Sequence, residues 1–120
     1  MEALNTYPLD NIQPRVVVCE MQVAVGPDKP ITVPYDPDFV VRIPNYYGVS
    51  LAAMAKPALE QGYRLVGANR YGLNAFFIHN DIGENVFPFG SVSHCLQHPF
   101  ARHEAETRWP SVKDLPWVEV

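Results

Sequence analysis

The segment from Gly62 to His79 constrains the fold of this chain more than any other part of the sequence. It contains two runs with the β-branched and aromatic composition of strands, Tyr63–Gly67 and Asn74–His79. The stretch between them, Arg70–Leu73, contains a glycine suited to a tight turn. The segment therefore predicts a strand, a turn and a second strand.

The residues before this hairpin predict one main helix. Ser50 suits the N-cap position, and Gly62 suits the C-cap. Apolar residues recur between them with helical spacing, at Leu51, Met54, Ala55, Ala58 and Leu59. Pro57 lies inside the helix, so it should remove one backbone hydrogen bond and bend the helix.

A third strand is predicted at Pro14–Glu20, which contains three consecutive valines and a cysteine. A continuous apolar run of this kind is typical of a strand covered on both faces in an α/β sheet. Ligands of open α/β sheets bind outside the carboxyl ends of the strands. Glu20 ends the run, so it is a candidate catalytic carboxylate. The alternative is a solvated residue that merely ends the strand.

The chain has twelve prolines, very few of which lie inside the periodic segments, and five of them lie in the connection 26–45. Each proline fixes φ and removes a hydrogen-bond donor, so they predict ordered, irregular backbone. Tyr35 and Asp36 in this connection are candidates for substrate contact. Asp36 and Asp38 lack the glycine and the distal glutamate of an EF-hand, so we interpret them as turn residues.

Residues 80–120 predict an irregular tail packed on the body of a single domain, 1–120. His94 and His98 have the i, i+4 spacing of metal ligands on a helix, but the chain has no HExxH and no second cluster. We interpret them as surface or packing residues and predict no metal site. Trp109 and Trp117 should bury aromatic surface and tie the tail to the body.

Composition argues against several functions. The net charge is −4 and lysine and arginine form no cluster, which disfavours nucleic acid and anionic membranes as partners. No apolar run approaches the roughly 20 residues of a membrane span, and the first residues lack the pattern of a signal peptide, so a cytoplasmic location is expected. Cys19 and Cys95 form no CxxC, and we interpret them as reduced, buried thiols. No GxGxxG and no phosphate loop occurs.

The order strand, long loop, helix, strand, tight turn, strand resembles the second half of a class I methyltransferase fold. The sequence itself is similar to the FkbM-type, S-adenosylmethionine-dependent methyltransferase group. The resemblance covers most of the chain. It is carried by residues 14–20 (PRVVVCE), 33–39 (VPYDPDF), 50–53 (SLAA), 62–77 (GYRLVGANRYGLNAFF), 108–110 (RWP) and 116–120 (PWVEV).

The resemblance implies an α/β fold with a small mixed three-stranded sheet, strands 5-7-6 of the family, one main helix and long Pro-rich loops. Arg15–Glu20 is strand 5, and the two strands of the hairpin are strands 6 and 7. In that topology Glu20 is placed to orient or deprotonate the hydroxyl of a methyl acceptor. Asn69 and Arg70, at the end of the next strand, are placed to bind a polar acceptor.

The cofactor site of the family lies in its strands 1 to 4, and the resemblance places the start of this chain after strand 4. We therefore expect the C-terminal part of a methyltransferase-like protein, which binds S-adenosylmethionine only if an N-terminal half completes it. The edge of the Val16–Val18 strand should then pair with a second copy or with a separate chain. One alternative is a non-catalytic homodimeric interaction or small-molecule-binding module. Another is a small enzyme whose site forms at a dimer interface from Tyr35, Glu20 and the histidines.

Overall fold

A computed structural model of the chain describes residues 13–71, 73–83 and 85–120. In chain order the elements are β1 (Val16–Glu20), a 3₁₀ turn (Val23–Val25), β2 (Ile31–Thr32), α1 (Leu51–Glu60), β3 (Tyr63–Ala68), β4 (Asn74–His79), α2 (Val92–Cys95), α3 (Pro99–Val112) and β5 (Val118–Glu119). Together they form an α/β fold with a small antiparallel sheet and few helices. Within the described ranges, every helix is too short or too polar to cross a membrane.

The main sheet has three strands in the order β1-β4-β3, so β4 is central and antiparallel to both neighbours. The resemblance implies a mixed sheet, and this expectation is wrong for the described strands, because each adjacent pair is antiparallel. β1 and β3 nevertheless run in the same direction, since each opposes β4. A bulge between Leu65 and Gly67 shifts the register of β3 and places Gly67 opposite Phe76.

β1 is an edge strand with one covered face. Val17 and Cys19 pack against the hydrophobic core. Val16 and Val18 point to the opposite face, where they are 53% and 55% exposed. The prediction that this strand is covered on both faces is therefore wrong. The apolar run includes Val16 and Val18, and no described residue covers the face on which they lie.

The predicted helix is confirmed as α1, which packs against β3. The Oγ atom of Ser50 accepts hydrogen bonds from the backbone N–H groups of Ala53 and Ile31, each at 3.1 Å. The helix is thereby capped and joined to β2 through one buried hydroxyl. Pro57 lies inside the helix, as predicted. Gly62 follows the helix with a φ of 89°, a conformation that favours glycine.

The tail contains the longest helix, so the predictions of an irregular tail and of one main helix are wrong. α3 has 14 residues and α1 has 10. Pro99 lies in the first turn of α3, where a missing N–H costs nothing. The Nδ1 atom of His98 caps the helix by accepting a hydrogen bond from the N–H of Phe100 at 3.2 Å. α3 packs on the 3₁₀ turn, and its residues Ala101 and Val112 are buried.

The end of the chain returns to the beginning of the long connection. β5 pairs antiparallel with β2 and aligns Val118 with Thr32. The rings of Trp109 and Trp117 lie 5.7 Å apart, and Trp117 packs edge-on against Tyr46 at 5.1 Å between centroids. The prediction that the two tryptophans tie the tail to the body is confirmed.

Candidate functional site

The five candidate residues predicted from the sequence fall into two groups. Glu20, Asn69 and Arg70 lie where β1 and β3 end. Tyr35 and Asp36 line a groove beside β2 and β5, which we call the Tyr35–Asp36 groove.

The first group shares one edge of the main sheet. Glu20 is exposed at the last position of β1, in register with Asn74. The backbone N–H of Asn69 donates to the carbonyl oxygen of Asn74 at 3.0 Å, so the ends of β1 and β3 flank the start of β4. Glu20 makes no ion pair with any residue that the structure describes. Its carboxylate is therefore open to solvent and to ligands.

Asn69 stabilises the turn between β3 and β4. Its Oδ1 atom accepts hydrogen bonds from the backbone N–H groups of Leu73 at 2.9 Å and Asn74 at 3.4 Å. Only its amide N–H₂ group remains for a ligand. Arg70 is exposed, and its guanidinium lies 5.7 Å from the centre of the Tyr71 ring.

The Tyr35–Asp36 groove is a concave depression with a volume of about 400 Å³. Its walls come from β2, β5 and the segments around residues 33–39 and 48–49. They are mainly apolar, with Val33, Pro34, Phe39, Val49, Val118 and Val120. Asp36 carries the only charged side chain among the lining residues, and Tyr35 stands at the rim, 71% exposed. The structure thus brings the two predicted substrate-contact residues into one groove.

A turn fixes the position of Asp36. Its Oδ1 atom accepts a hydrogen bond from the N–H of Asp38 at 2.9 Å, and its carbonyl oxygen accepts one from the N–H of Phe39 at 3.1 Å. This geometry is an Asx turn, which confirms the prediction that the two aspartates are turn residues. The Oδ2 atom of Asp36 makes no hydrogen bond to a described residue, so it is available to a ligand.

The chain immediately after Glu20 holds the inner wall of the groove. The backbone N–H of Gln22 donates to the carbonyl oxygen of Val49 at 2.8 Å. The buried Gln22 amide donates to the carbonyl oxygens of Asn45 at 3.0 Å and Tyr47 at 3.3 Å. The residues that leave β1 therefore fix the segment that forms this wall.

A second groove, of about 540 Å³, lies between the 3₁₀ turn, α2 and α3. Its polar residues are Ser93, Gln97, Arg102 and Glu106. The sequence gives little sign of it, because two of these residues lie on α3, which has only three buried positions and hence a weak helical pattern.

Neither histidines nor cysteines form a site within the described ranges. No three His, Cys, Asp or Glu side chains there are grouped as a metal ion requires. His94 and His98 are not on one helix, since α2 ends at Cys95 and His98 caps α3. Cys19 and Cys95 are free thiols, and burial raises the pKa of both, which disfavours the reactive thiolate.

Comparison of the chain with known proteins gives no match. No protein-family model matches the chain, and neither a curated protein nor a solved structure matches it.

Proposed function

We propose that this chain is the C-terminal part of a class I, FkbM-type methyltransferase-like protein and that it supplies the acceptor side of the site. The observation that carries this proposal is the strand order β1-β4-β3, with α1 in the connection from β1 to β3. Strands that follow each other in a chain are usually neighbours in the sheet, and simple succession would give β1-β3-β4. The observed order is the one that the resemblance implies for strands 5, 7 and 6.

The placement of Glu20 supports the acceptor role. β1 and β3 run in the same direction, so their carboxyl ends lie at one edge, where α/β sheets bind ligands. Methyl transfer requires an acceptor atom aligned with the methyl group of the donor. Glu20 is exposed at this edge and has no described ionic partner. It is available to orient an acceptor hydroxyl or remove its proton.

One edge of β1 has no partner strand among the described residues, which supports a further neighbour strand there. The carbonyl oxygen of Arg15 accepts from the N–H of His79 at 3.0 Å, and the N–H of Met21 donates to the carbonyl oxygen of Leu73 at 2.9 Å. Bonding to β4 therefore falls on odd-numbered residues, and the backbone groups of the even-numbered residues of β1 point outward. In the proposed complete fold, strand 4 pairs here, and strands 1 to 4 hold S-adenosylmethionine.

The cofactor part of the proposal is tested by calorimetry. We expect no heat of binding when the chain alone is titrated with micromolar S-adenosylmethionine. We expect binding when the chain is co-expressed with a polypeptide carrying a Gly-rich βαβ half, for which the coding region directly upstream is the first place to look. Micromolar binding of S-adenosylmethionine by the chain alone would overturn the proposal that a separate N-terminal half holds the cofactor.

The acceptor part is tested by substitution in the completed enzyme. Glu20→Gln should lower the rate of methyl transfer by about 10²-fold or more, as expected for a lost general base, and leave the affinity for S-adenosylmethionine unchanged. Glu60→Gln, at an exposed end of α1, is the matched control. If Glu20→Gln left the rate unchanged, Glu20 would have no catalytic role.

The same edge of β1 favours a second candidate function, a non-catalytic module that homodimerises by pairing two copies of β1. Val16 and Val18 are exposed beside backbone groups that no described strand pairs with, and an apolar open edge is prone to strand addition. Light scattering over a range of concentrations should then show a dimer. Val18→Lys should dissociate it, whereas Val86→Lys, at a site that is 71% exposed, should not. A strict monomer at high concentration would exclude this function.

A further inference from the structure

We infer that the Tyr35–Asp36 groove binds a small organic cation, an ammonium group on an aromatic or aliphatic body. The assignment of this ligand as the methyl acceptor depends on the proposed function, but binding itself does not. The groove has the dimensions of a ligand site. Its volume of about 400 Å³ lies within the range of roughly 300–1,000 Å³ common for small-molecule pockets.

The walls of the groove favour a ligand with an apolar part. Six of the ten lining residues are valine, proline or phenylalanine, and they come from both β2 and β5 sides of the groove. Phe39 and the exposed Tyr35 are aromatic residues that line the groove together with Asp36. Aromatic faces attract ammonium groups, so the same residues favour a cationic head group as well as an apolar body.

The charges select a cation over an anion. Asp36 carries the only charged side chain of the lining, and its Oδ2 atom lacks a described hydrogen-bond partner. An adjoining hollow of about 210 Å³ shares Asp36 and Phe39 with the groove and adds Asp38 and Arg42. Lys56 is a further cation near the groove, since its Nζ atom donates to a main-chain oxygen of the lining residue Val120 at 2.7 Å.

These neighbouring cations do not occupy the carboxylate. Among the described residues, neither Arg42 nor Lys56 forms an ion pair with Asp36. A ligand carboxylate in the groove would approach Asp36 with no basic residue in the lining to offset the repulsion. A ligand ammonium would gain a charge-assisted hydrogen bond there. The groove therefore distinguishes ligands of equal shape by the sign of their charge.

Nitrogen-15 NMR titration with three probes of one shape tests the inference. The probes are phenethylamine, phenethyl alcohol and hydrocinnamate, which carry an ammonium, a hydroxyl and a carboxylate group. Phenethylamine should bind at least about tenfold more tightly than the other two, the ratio expected for one charge-assisted hydrogen bond. The amides of Thr32, Val49 and Val118 should shift. Equal affinity for all three probes, or shifts confined to α3, would overturn the inference.

Substitutions test whether the Asp36 carboxylate binds the cation. Asp36→Asn preserves the Asx turn, since an amide oxygen still accepts from the N–H of Asp38, and it removes the charge. It should weaken phenethylamine binding by about tenfold, whereas Asp38→Asn should change it by less than about twofold. Unchanged binding by Asp36→Asn would refute the inference.

The outcome is separable from that of the proposed function. Asp36-dependent binding without methylation of any ammonium-bearing alcohol by the completed enzyme would support cation binding in the groove and overturn the assignment of the cation as the methyl acceptor. Methylation of an anionic acceptor without chemical-shift changes in the groove would support the proposed function and overturn cation binding by the groove.

Discussion

Replacing Arg64 by methionine tests how the segment after β4 is held on the outer face of the sheet. Arg64 is a charged residue but only 6% exposed. Its Nε, Nη1 and Nη2 atoms donate to the carbonyl oxygens of Phe87 at 2.8 Å, His79 at 3.0 Å and Ile82 at 2.6 Å. Methionine keeps an apolar stem and removes all three donors. Ile82 and Phe87, which follow β4, would then lose their hydrogen bonds to β3.

The expected loss of unfolding free energy follows from the three hydrogen bonds of Arg64. A hydrogen bond from a charged donor contributes about 1.5–3 kcal/mol, so three would amount to about 4.5–9 kcal/mol if no water replaced them. Phe87 is exposed and Ile82 is half-buried, so water can reach their carbonyl groups. We therefore expect the free energy of unfolding to fall by about 3 kcal/mol, a large part of the about 5–15 kcal/mol typical of a domain.

Urea unfolding followed by circular dichroism measures this loss. With a slope of about 1–3 kcal/mol per molar urea, the midpoint should fall by roughly 1–3 M. Arg102→Met is the matched control, because Arg102 is exposed on α3 and its side chain makes no hydrogen bond to a described residue. The control should change stability by less than about 0.5 kcal/mol.

Hydrogen exchange shows where the loss occurs. Amides of residues 80–90 should exchange faster in Arg64→Met, whereas those of α1 should follow only the global change. A loss below about 1 kcal/mol, or a loss equal to that of the Arg102 control, would refute the reasoning. Such a result would mean that the three carbonyl groups are solvated at little cost without the guanidinium.

The remaining predictions concern a cap, a buried phenol and the thiols. Ser50→Ala should cost about 1–2 kcal/mol by urea unfolding, because the hydroxyl accepts from two N–H groups, and Ser91→Ala, which uncaps only the four-residue α2, should cost less. Tyr63→Phe removes a hydrogen bond to Pro14 and should cost about 1 kcal/mol, whereas Tyr35→Phe should not alter stability. Burial raises the pKa of Tyr63 and of both cysteines, so the folded state retains their protons at alkaline pH. Their contribution to stability is complete below the ordinary pKa of each group and should decline as the pH rises above it, which alkaline urea titrations would detect. Iodoacetamide should alkylate both thiols more slowly in the native protein than in urea, and equal rates would contradict their burial.

Local patterns predicted the hairpin and α1 well. The bounds of β4 and the cap of α1 agree with the structure, since each depends on residues close together in the sequence. The sequence does not reveal α3 because only three of its positions are buried, which leaves a weak helical pattern. The exposed face of β1 was missed because an apolar run does not show whether its strand lies at an edge.

The candidate site was predicted only in part, for a related reason. Tyr35 and Asp36 could be chosen from the long connection, but the wall opposite them comes from Val118 and Val120. β2 and β5 have two residues each, too few for a periodic signal, and they pair across most of the chain. The sequence likewise marks Asn69 as a polar turn residue but does not reveal that its oxygen is engaged by the turn.

The pairing of Ile31 with Glu119 also sets the time at which the groove can form during biosynthesis. β2 leaves the ribosome long before β5 exists, and β1 must similarly wait for β4. Contacts so distant in sequence form slowly, after much conformational entropy has been lost in closing the loop. A nascent chain therefore exposes the core face of β1 until β4 emerges and the floor of the groove until β5 emerges. In that interval it is a natural client for chaperones.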